Sequence, residues 1–455
     1  MTSVLLIYPF FVPHRDRSVF RFPPLGVSYI AASLEKAGHD VHLIDCTFLG
    51  KTEALEKALA VKAEVVGVYC MVTMVDECTW FAEQLRPHSK LLIAGGPLPT
   101  CDPEPFLKHF DVVVRGEGEQ TMQELLQALG DGSTLESIPG IVYRTDPGWP
   151  AKGRLVYTPE RKFSKDLDRI PFPARAMLPN DSYIHQGRKK YGYSITTVMS
   201  TRGCPYRCEF CSNVVFGSSY RERSPENVVA EIETALALGY DRISFADDVF
   251  TMKMERVVRV CREITRRGLH FNWECLGRVD ALDYPTAVEM KAAGCTRIFF
   301  GIESGNEQML ERINKKITLD EARRAVNAAH QAGLQVGAFF ILCYPGDTDD
   351  TVLETLHFTT SLPLDYLGLS MPYPLPGTDL YQRTRERINR DWHPDESPFG
   401  SHVLIFNADF SETKMWFGIM KGHAQFEIKK RTGKLAPFFL SLFEKPTDMI
   451  FRLLK

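Results

Sequence analysis

Three cysteines lie within eight residues of one another, at a spacing that could support metal chemistry. Cys204, Cys208 and Cys211 form the pattern C-x3-C-x2-C in the run TRGCPYRCEFC. Three thiolates on one short loop can bind a compact metal centre. A structural zinc ion normally has four protein ligands, and no fourth Cys or His follows closely, so a [4Fe-4S] cluster with one open iron fits better. Two alternatives stay open: a zinc loop with a distant fourth ligand, and three unrelated thiols.

The other cysteines indicate reduced thiols. The chain has 455 residues and 11 cysteines, and an odd number cannot form a complete disulfide framework. The rest are scattered singly through apolar segments, where a buried reduced thiol is expected. These are Cys46, Cys70, Cys78, Cys101, Cys261, Cys275, Cys295 and Cys343.

Charge and composition exclude several classes of protein. Lys and Arg total 54 and Asp and Glu total 57, which leaves a net charge of −3, so we expect no nucleic-acid partner. No apolar run reaches the roughly 18 residues of a membrane-spanning helix. Met1-Thr2-Ser3 has no basic residue of the kind that begins a secretory signal. We expect a folded, cytoplasmic protein.

The first 145 residues alternate short apolar strands with helical segments. Five predicted strands, at 4–8, 41–45, 65–69, 91–94 and 112–114, with helices around 52–62, 76–86 and 119–129, predict an α/β, doubly wound, Rossmann-like domain. Ligands of such sheets bind beyond the carboxyl ends of the strands. Small or special residues gather there and predict a cofactor cleft, although each alone fits ordinary turn chemistry. They are Pro9, Gly95, Gly96, Pro97, Gly116, Glu117 and Glu119. The dinucleotide fingerprint G-x-G-x-x-G does not follow the first strand.

A second set of βα units follows a linker at 146–190, which is rich in Pro, Gly, Arg and Lys. Six predicted strands, at 195–199, 242–246, 271–276, 297–302, 335–342 and 366–371, predict a partial (β/α)6 barrel of TIM type over 191–385. Ser224 is expected to cap one of its helices and Thr318 another. Residues 386–455 form a small C-terminal region, expected to be rich in helix.

The cysteine pattern, placed directly after the first barrel strand, resembles the radical S-adenosylmethionine (radical SAM) family. The resemblance implies that Cys204, Cys208 and Cys211 hold a [4Fe-4S] cluster whose open iron binds SAM. It also implies reductive cleavage of SAM to a 5′-deoxyadenosyl radical, and an electron donor such as flavodoxin or ferredoxin. The reduced cluster is sensitive to oxygen, which agrees with a cytoplasmic location.

The resemblance places further SAM contacts at the ends of later barrel strands. Asp247 and Asp248 replace the usual Gly-Gly-Glu segment that meets the SAM amino group. Arg278 could pair with the SAM carboxylate. Glu303 or Ser304 could bind the ribose hydroxyls. A simple ion-pair role stays the alternative for the charged residues among them. Cys343 stands where the family segment G-x-P-G-E-T has its first glycine, and a buried small hydrophobe is its simplest interpretation.

The first domain resembles that of cobalamin-binding radical SAM proteins. The matching features are Leu25 and Gly26 in the run PPLG, the run GGP at 95–97 and the run RGEGE at 115–119. The resemblance implies cobalamin beside these residues. The motif D-x-H-x-x-G, which gives other cobalamin proteins an axial histidine, is missing, as is usual in this subgroup.

Together the two resemblances imply a cobalamin-dependent enzyme that methylates an unactivated carbon of an organic substrate. The alternative is a radical SAM cyclase or oxidoreductase of pigment or lipid type, and a sensor without turnover is a more distant one. The tail carries apolar residues beside basic ones, which fits a helix packed on the barrel, a peripheral membrane contact or a lipid-like substrate. The sequence identifies neither the substrate nor the oligomeric state.

Overall fold

Two compact units make up the part of the chain that the computed structural model describes, residues 2–11, 21–146, 152–388 and 406–454. The first unit comprises Met1–Val198 and Asn213–Arg242. The second comprises Met199–Ser212 and Ile243–Lys455. The short segment with the three cysteines therefore belongs to the second unit, although the residues on either side of it belong to the first.

The first unit is built on a seven-stranded sheet with the strand order β2-β1-β3-β4-β5-β6-β7. Neighbouring strands from β1 to β5 are parallel, and β6 and β7 are antiparallel additions at one edge. The strands are β1 (Ser3–Tyr8), β2 (Asp40–Asp45), β3 (Val65–Tyr69), β4 (Leu91–Gly95), β5 (Val112–Val114), β6 (Ile141–Asp146) and β7 (Lys152–Tyr157).

Helices cover both faces of this sheet because its strands are apolar on both faces. Leu5 and Ile7 enter one core cluster, with helix residues such as Phe81. Val4 and Leu6 enter the other, with helix residues such as Leu125. Successive side chains of a strand point to opposite faces of the sheet, so β1 contributes to the core on both faces. The helices of the unit are α1 (Leu25–Lys36), α2 (Lys51–Val61), α3 (Val75–Leu85), α4 (Pro97–Cys101), α5 (Glu119–Asp131), α6 (Asn180–Tyr191) and α7 (Pro225–Ala237).

The doubly wound prediction is confirmed, but its strand count was wrong. The sequence predicts five strands, and the structure adds β6 and β7 as an antiparallel pair. Strand β7 and helix α6 lie in the segment predicted as a linker. The Pro-Gly run of this segment and the polar residues of edge strand β7 hid the alternation of apolar and polar residues that predicts a strand. The domain bounds stay a prediction.

The second sheet has six strands in the order β15-β14-β13-β12-β11-β8, which is the order of a run of βα units. Strands β12 to β15 are parallel to their neighbours. Among the described strands no pairing joins β8 to β15, so the barrel is partial, as predicted. The strands are β8 (Ile195–Val198), β11 (Arg242–Phe245), β12 (Asn272–Gly277), β13 (Cys295–Glu303), β14 (Gln335–Ile341) and β15 (Tyr366–Ser370), and two-residue strands are β9 (Thr201–Arg202) and β10 (Arg221–Glu222).

Side chains cap the start of most helices that follow the barrel strands, among them α7 of the first unit and α11 (Leu319–Gln331). Ser224 accepts a hydrogen bond from the Asn227 amide, and Thr318 forms a capping box with Glu321, both as predicted. These helices are α8 (Met254–Arg266), α9 (Tyr284–Ala292), α10 (Glu307–Arg312), α11 (Leu319–Gln331) and α12 (Asp349–Ser361).

Three helices complete the second unit: α13 (Asp379–Thr384), α14 (Glu412–Thr432) and α15 (Ala436–Leu453). Helices α14 and α15 pack on each other and on α12. The helix-rich prediction therefore holds for residues 406–454, whereas 389–405 lie outside the described residues. No helix of the described chain is long and apolar enough to cross a bilayer.

A buried charge network in the first unit gives a stability test. The Glu231 carboxylate is fully buried and accepts hydrogen bonds from Arg175 and Arg223. Glu231→Gln removes the carboxylate charge that these two buried guanidinium groups share, so we expect a loss of about 3–5 kcal/mol in the free energy of unfolding. Urea denaturation measures it. The exposed residue Glu35 supplies the control, since Glu35→Gln should change stability by less than about 0.5 kcal/mol. Equal losses in the two variants would contradict a stabilising role for the network.

Candidate functional site

The three cysteines lie on one partly exposed turn of the second unit, here called the cysteine loop (residues 203–211). Cys204 and Cys208 are half-buried and Cys211 is exposed. The Cys211 amide donates to the Cys208 carbonyl over 3.0 Å, and the Glu209 amide donates to the Ile313 carbonyl over 3.0 Å. These two bonds fix the backbone, so the loop presents three thiols from a folded turn.

The surroundings of the thiols oppose ionisation unless a positive centre is present. Burial raises the pKa of all three thiols, and the neighbouring thiols and Asp248 help to raise that of Cys211 to about 12. The charges of Lys315 and Arg278 act in the opposite direction on the pKa of Cys208. Thiolates in such a place need a cation, and a cluster of ferric and ferrous ions supplies one.

The chemistry of this donor set fits a four-iron cluster. Among the described residues no three His, Cys, Asp or Glu side chains converge closely enough to hold a single metal ion. A four-iron cluster binds each thiolate at a different iron, so that finding is compatible with a cluster. The residues that would hold it are Cys204, Cys208 and Cys211.

Asp247 anchors the chain that enters the cysteine loop. Its carboxylate is 1% exposed and accepts from the backbone amides of Ser200 and Thr201, over 2.6 and 3.0 Å, and from the Ser200 hydroxyl. Arg256 donates to the Ser200 carbonyl over 3.0 Å. Burial raises the pKa of Asp247, whereas Arg256 and the Ser200 hydroxyl lower it. The hydrogen bonds of Asp247 are thus directed at the backbone, which makes it a positioning residue.

Asp248 differs from its neighbour because its side chain is exposed on the side of the cysteines. The Gly203 amide donates to it, and its charge raises the pKa of Cys204 and Cys211. Although Asp248 can be reached by solvent, its carboxylate is partly shielded from water. This shielding raises its pKa, and the charge of Asp247 raises that pKa further. Of the acidic pair, Asp248 is therefore the carboxylate that a ligand of the cysteine loop can reach.

Arg278 connects the cysteine loop to two other segments. It is buried and forms an ion pair with Asp280 at 2.9 Å. It also donates to the carbonyl of Lys315 over 3.0 Å and stacks on the Tyr206 ring of the cysteine loop, 3.4 Å from the ring centroid. Tyr206 in turn donates to Asp280 over 3.1 Å. The predicted pairing of Arg278 with a SAM carboxylate stays a prediction, and it would add to these structural bonds.

Glu303 ends strand β13 in a buried ion pair. Its carboxylate accepts from Lys315 Nζ over 2.9 Å, and its backbone has a φ of +74°. A Cβ on Gly301 would lie 2.4 Å from Glu303 Oε1 and 3.0 Å from Lys315 Nζ, so a larger residue there would displace this ion pair. Lys315 is the charge partner that sequence reasoning missed. It lies in a short turn after α10 that no motif distinguishes.

The Ser304 hydroxyl has partners within the chain. It lies 3.2 Å from the Thr355 hydroxyl and accepts from the Asn306 amide over 3.2 Å. Ser304 is buried, and these bonds fix the turn that leads into α10. Its contact with a ribose stays a prediction.

Cys343 occupies a glycine-like position in the structure as well as in the motif. It is buried and has a φ of +60°, a conformation that favours glycine. The neighbouring Asp347 accepts from the Tyr344 amide over 2.7 Å, and burial raises the pKa of Asp347 to about 6. The buried thiol agrees with the simple interpretation of Cys343 as a small hydrophobe.

The predicted cobalamin residues gather at one edge of the sheet in the first unit. Parallel strands place their carboxyl ends at the same edge, so the residues after β1, β4 and β5 and those at the start of α1 are brought together. A Cβ on Gly26 would meet no atom within 4 Å, which leaves room for a ligand. The residues at this edge are Pro9, Leu25, Gly26, Gly95, Gly96, Pro97 and Gly116.

Two residues of the predicted cobalamin set also have a role in the fold of the first unit. Gly96 has a φ of +107°, and a Cβ there would lie 2.6 Å from the Cys70 carbonyl oxygen. Glu117 is buried and forms an ion pair with Arg221 at 2.8 Å, so its carboxylate contributes to the fold. Glu119 is the first residue of α5. Cobalamin contacts stay a prediction for the whole set.

Two family models match the two regions that the sequence singles out. The Radical SAM superfamily model matches residues 198–359. The B12 binding domain model matches residues 15–126. An uncharacterized methyltransferase of Pyrococcus horikoshii is 33% identical over 79% of this chain and 78% of its own. The chain belongs to the family of cobalamin-dependent radical SAM methyltransferases. The predicted family is confirmed, and its cofactors are a [4Fe-4S] cluster, SAM and cobalamin.

One further relative and one solved structure are similar to this chain. An anaerobic magnesium-protoporphyrin IX monomethyl ester cyclase of Rubrivivax gelatinosus is 28% identical over 85% of this chain and 70% of its own. The solved structure of the radical SAM methyltransferase TsrM from Kitasatospora setae aligns with a TM-score of 0.71 at 20% identity, over 87% of this chain and 78% of that one. The second likeness confirms the predicted fold class of this B12-binding radical SAM chain.

The different surroundings of the two aspartates predict different phenotypes. In Asp247→Asn, one of the two acceptor oxygens is replaced by an NH2 group, which faces the amide and hydroxyl donors of Ser200 and Thr201. This variant should therefore lose about 1–3 kcal/mol in the free energy of unfolding. It should also bind less iron after reconstitution. Asp248→Asn should leave the midpoint of urea denaturation nearly unchanged and impair SAM cleavage. Iron analysis, denaturation and a SAM cleavage assay separate the two. Equal destabilisation by both variants would contradict the division of roles between anchor and ligand contact.

The backbone at Cys343 predicts an unusual order of stabilities. At an ordinary buried position Ala is more stable than Gly, but a φ of +60° reverses this. Cys343→Gly should therefore be more stable than Cys343→Ala by about 1 kcal/mol, measured by thermal or urea denaturation. The pair differs by one methyl group, so each variant is the control of the other. If Ala were the more stable variant, the backbone at 343 would not be strained.

Proposed function

We propose that this enzyme methylates an unactivated carbon of an organic substrate, and that the cysteine loop is where SAM is bound and cleaved. The observation that carries the proposal is the cysteine loop itself, whose three thiols lie beside the reachable carboxylate of Asp248 and the positive charges of Arg278 and Lys315. The presence of a B12-binding domain in the same chain supports methyl transfer as the outcome.

The residues of the second unit would divide the work of binding. Cys204, Cys208 and Cys211 would hold the cluster, which supplies the electron that splits SAM into methionine and a 5′-deoxyadenosyl radical. Asp248 would accept hydrogen bonds from the SAM amino group. Arg278, already beside Cys208, would attract the SAM carboxylate. Glu303 and Ser304 would contact the ribose, and Asp247 would keep the entering chain in place.

The carboxyl edge of the sheet in the first unit would hold cobalamin. Gly26, Gly95 and Gly116 would let the planar macrocycle approach the backbone, with Pro9, Leu25, Gly96, Pro97, Glu117 and Glu119 around it. When bound, cobalamin would supply a methyl group for a substrate radical, and a second SAM would restore that methyl group after the electron donor had reduced the cobalt by one electron. The family model across residues 15–126 supports this assignment.

The enzyme would act in the cytoplasm and receive its electrons from a flavodoxin or a ferredoxin. Its substrate would be a small organic or lipid-like molecule. A cyclase or oxidoreductase reaction without net methyl transfer is the second candidate, and the relative from Rubrivivax gelatinosus named a cyclase favours it.

The product pattern distinguishes the two reactions. The protein is reconstituted without oxygen with iron, sulfide and hydroxocobalamin, then incubated with SAM, a reductant and candidate substrates. Methyl transfer predicts 5′-deoxyadenosine together with S-adenosylhomocysteine. 5′-Deoxyadenosine without S-adenosylhomocysteine would favour the second candidate. Failure to bind any cluster would contradict both.

The role of the cysteines predicts a selective loss. Cys208→Ala removes one of the three ligands and should abolish 5′-deoxyadenosine formation, while retained cobalamin, read from its absorption spectrum, should not change. Cys101→Ala is the matched control, since Cys101 is also half-buried but lies in the first unit. That variant should keep SAM cleavage. Normal cleavage by Cys208→Ala would exclude it as a ligand.

A further inference from the structure

One side of helix α15 exposes a continuous row of large apolar side chains. Phe438, Leu442, Met449 and Leu453 are 60–70% exposed. Their spacing of four, seven and four residues places them on one stripe of an α-helix. Leu435, Phe439 and Ile450 widen the stripe and are 41–64% exposed. These seven residues are here called the outer face of α15.

The outer face is not needed to hold the helix in place. The opposite side of α15 already packs on the second unit through buried Leu440 and Phe451. Its two acidic residues also point inward: Glu444 accepts from Gln425 over 2.8 Å, and Asp448 pairs with Lys421 at 2.9 Å. The helix therefore has one apolar side that packs and a second that the described structure leaves uncovered.

The exposed charged residues of the segment that carries the outer face, residues 434–454, are all basic. Lys445 and Arg452 are seven residues apart and so lie on the same edge of the stripe, and Lys434 precedes the helix. Arg452 pairs with exposed Asp350, whereas Lys434 and Lys445 form no ion pair with any described residue. Among the described residues from 434 to 454 no exposed side chain is acidic.

We propose that the outer face of α15 binds the surface of an anionic lipid bilayer, with the helix lying in the plane of the interface. Large apolar side chains with basic residues along one edge are the composition of interfacial helices. Acidic headgroups would neutralise Lys434 and Lys445. A two-fold contact with a second copy fits less well, since residues 434–454 of that copy would bring no exposed acidic side chain to meet Lys434 and Lys445, and Asp350 is already paired with Arg452. Such lipid binding would be independent of methyl transfer.

Vesicle sedimentation tests it with the full chain. The protein should sediment with phosphatidylglycerol vesicles, less with phosphatidylcholine vesicles, and less when salt is raised. The double variant Leu442→Gln, Met449→Gln should lower the partition coefficient about 10- to 100-fold, because it removes two apolar side chains from the contact. Lys434→Glu with Lys445→Glu should weaken binding to phosphatidylglycerol only. Both pairs of positions are exposed, and circular dichroism checks that the variants fold.

Leu129→Gln serves as the control, since Leu129 is 47% exposed on α5 of the first unit and should not affect binding. No sedimentation with phosphatidylglycerol would overturn the proposal, and so would binding that Leu442→Gln, Met449→Gln leaves unchanged. Sedimentation velocity without lipid provides the other decisive outcome. If the protein self-associates and the apolar variant abolishes that association, the face is a contact between copies and the membrane assignment is wrong.

Discussion

The chemistry of the second unit depends on one buried carboxylate. Asp247 takes hydrogen bonds from two consecutive backbone amides and a hydroxyl just before the cysteine loop, and Arg256 completes the contact through the Ser200 carbonyl. A buried carboxylate without such donors would be costly, so the bonds stabilise both the charge and the backbone. This anchor fixes the chain that enters the cysteine loop, and the hydrogen bonds of Glu209 and Cys211 fix the loop itself.

The site gathers opposite charges around the thiols. Lys315 and Arg278 favour the thiolate of Cys208, and each is balanced by a carboxylate, Glu303 for the lysine and Asp280 for the arginine. Balanced pairs can stay buried without ligand, whereas isolated charges could not. The binding of a positively charged cluster core to the thiolates, followed by a charged ligand, would then redistribute existing charges within a preformed site.

The sequence predicted what strong local patterns encode. The spacing of the cysteines, the apolar strands and the caps at Ser224 and Thr318 all have local causes, and the structure places them as expected. The different roles of Asp247 and Asp248 could not be predicted, because both lie in the loop that follows β11 and only the fold decides which of the two side chains is buried. Lys315 was missed for a related reason. Its partner Glu303 lies at the end of β13, and the whole of helix α10 separates the two residues along the chain. Strand β7 was missed because this edge strand carries polar residues, and β6 was missed because its apolar run is only three residues long, Ile141 to Tyr143.

The cysteine loop is proposed to hold a four-iron cluster with one iron free for SAM, and every other role assigned to the second unit follows from that. Mössbauer spectroscopy of protein reconstituted anaerobically with ⁵⁷Fe, recorded with and without SAM, tests it most directly. About a quarter of the iron signal should change on addition of SAM, because three irons are held by thiolates and one is open. A cluster whose four irons are all unaffected by SAM, or a loop that binds zinc in place of iron, would contradict it.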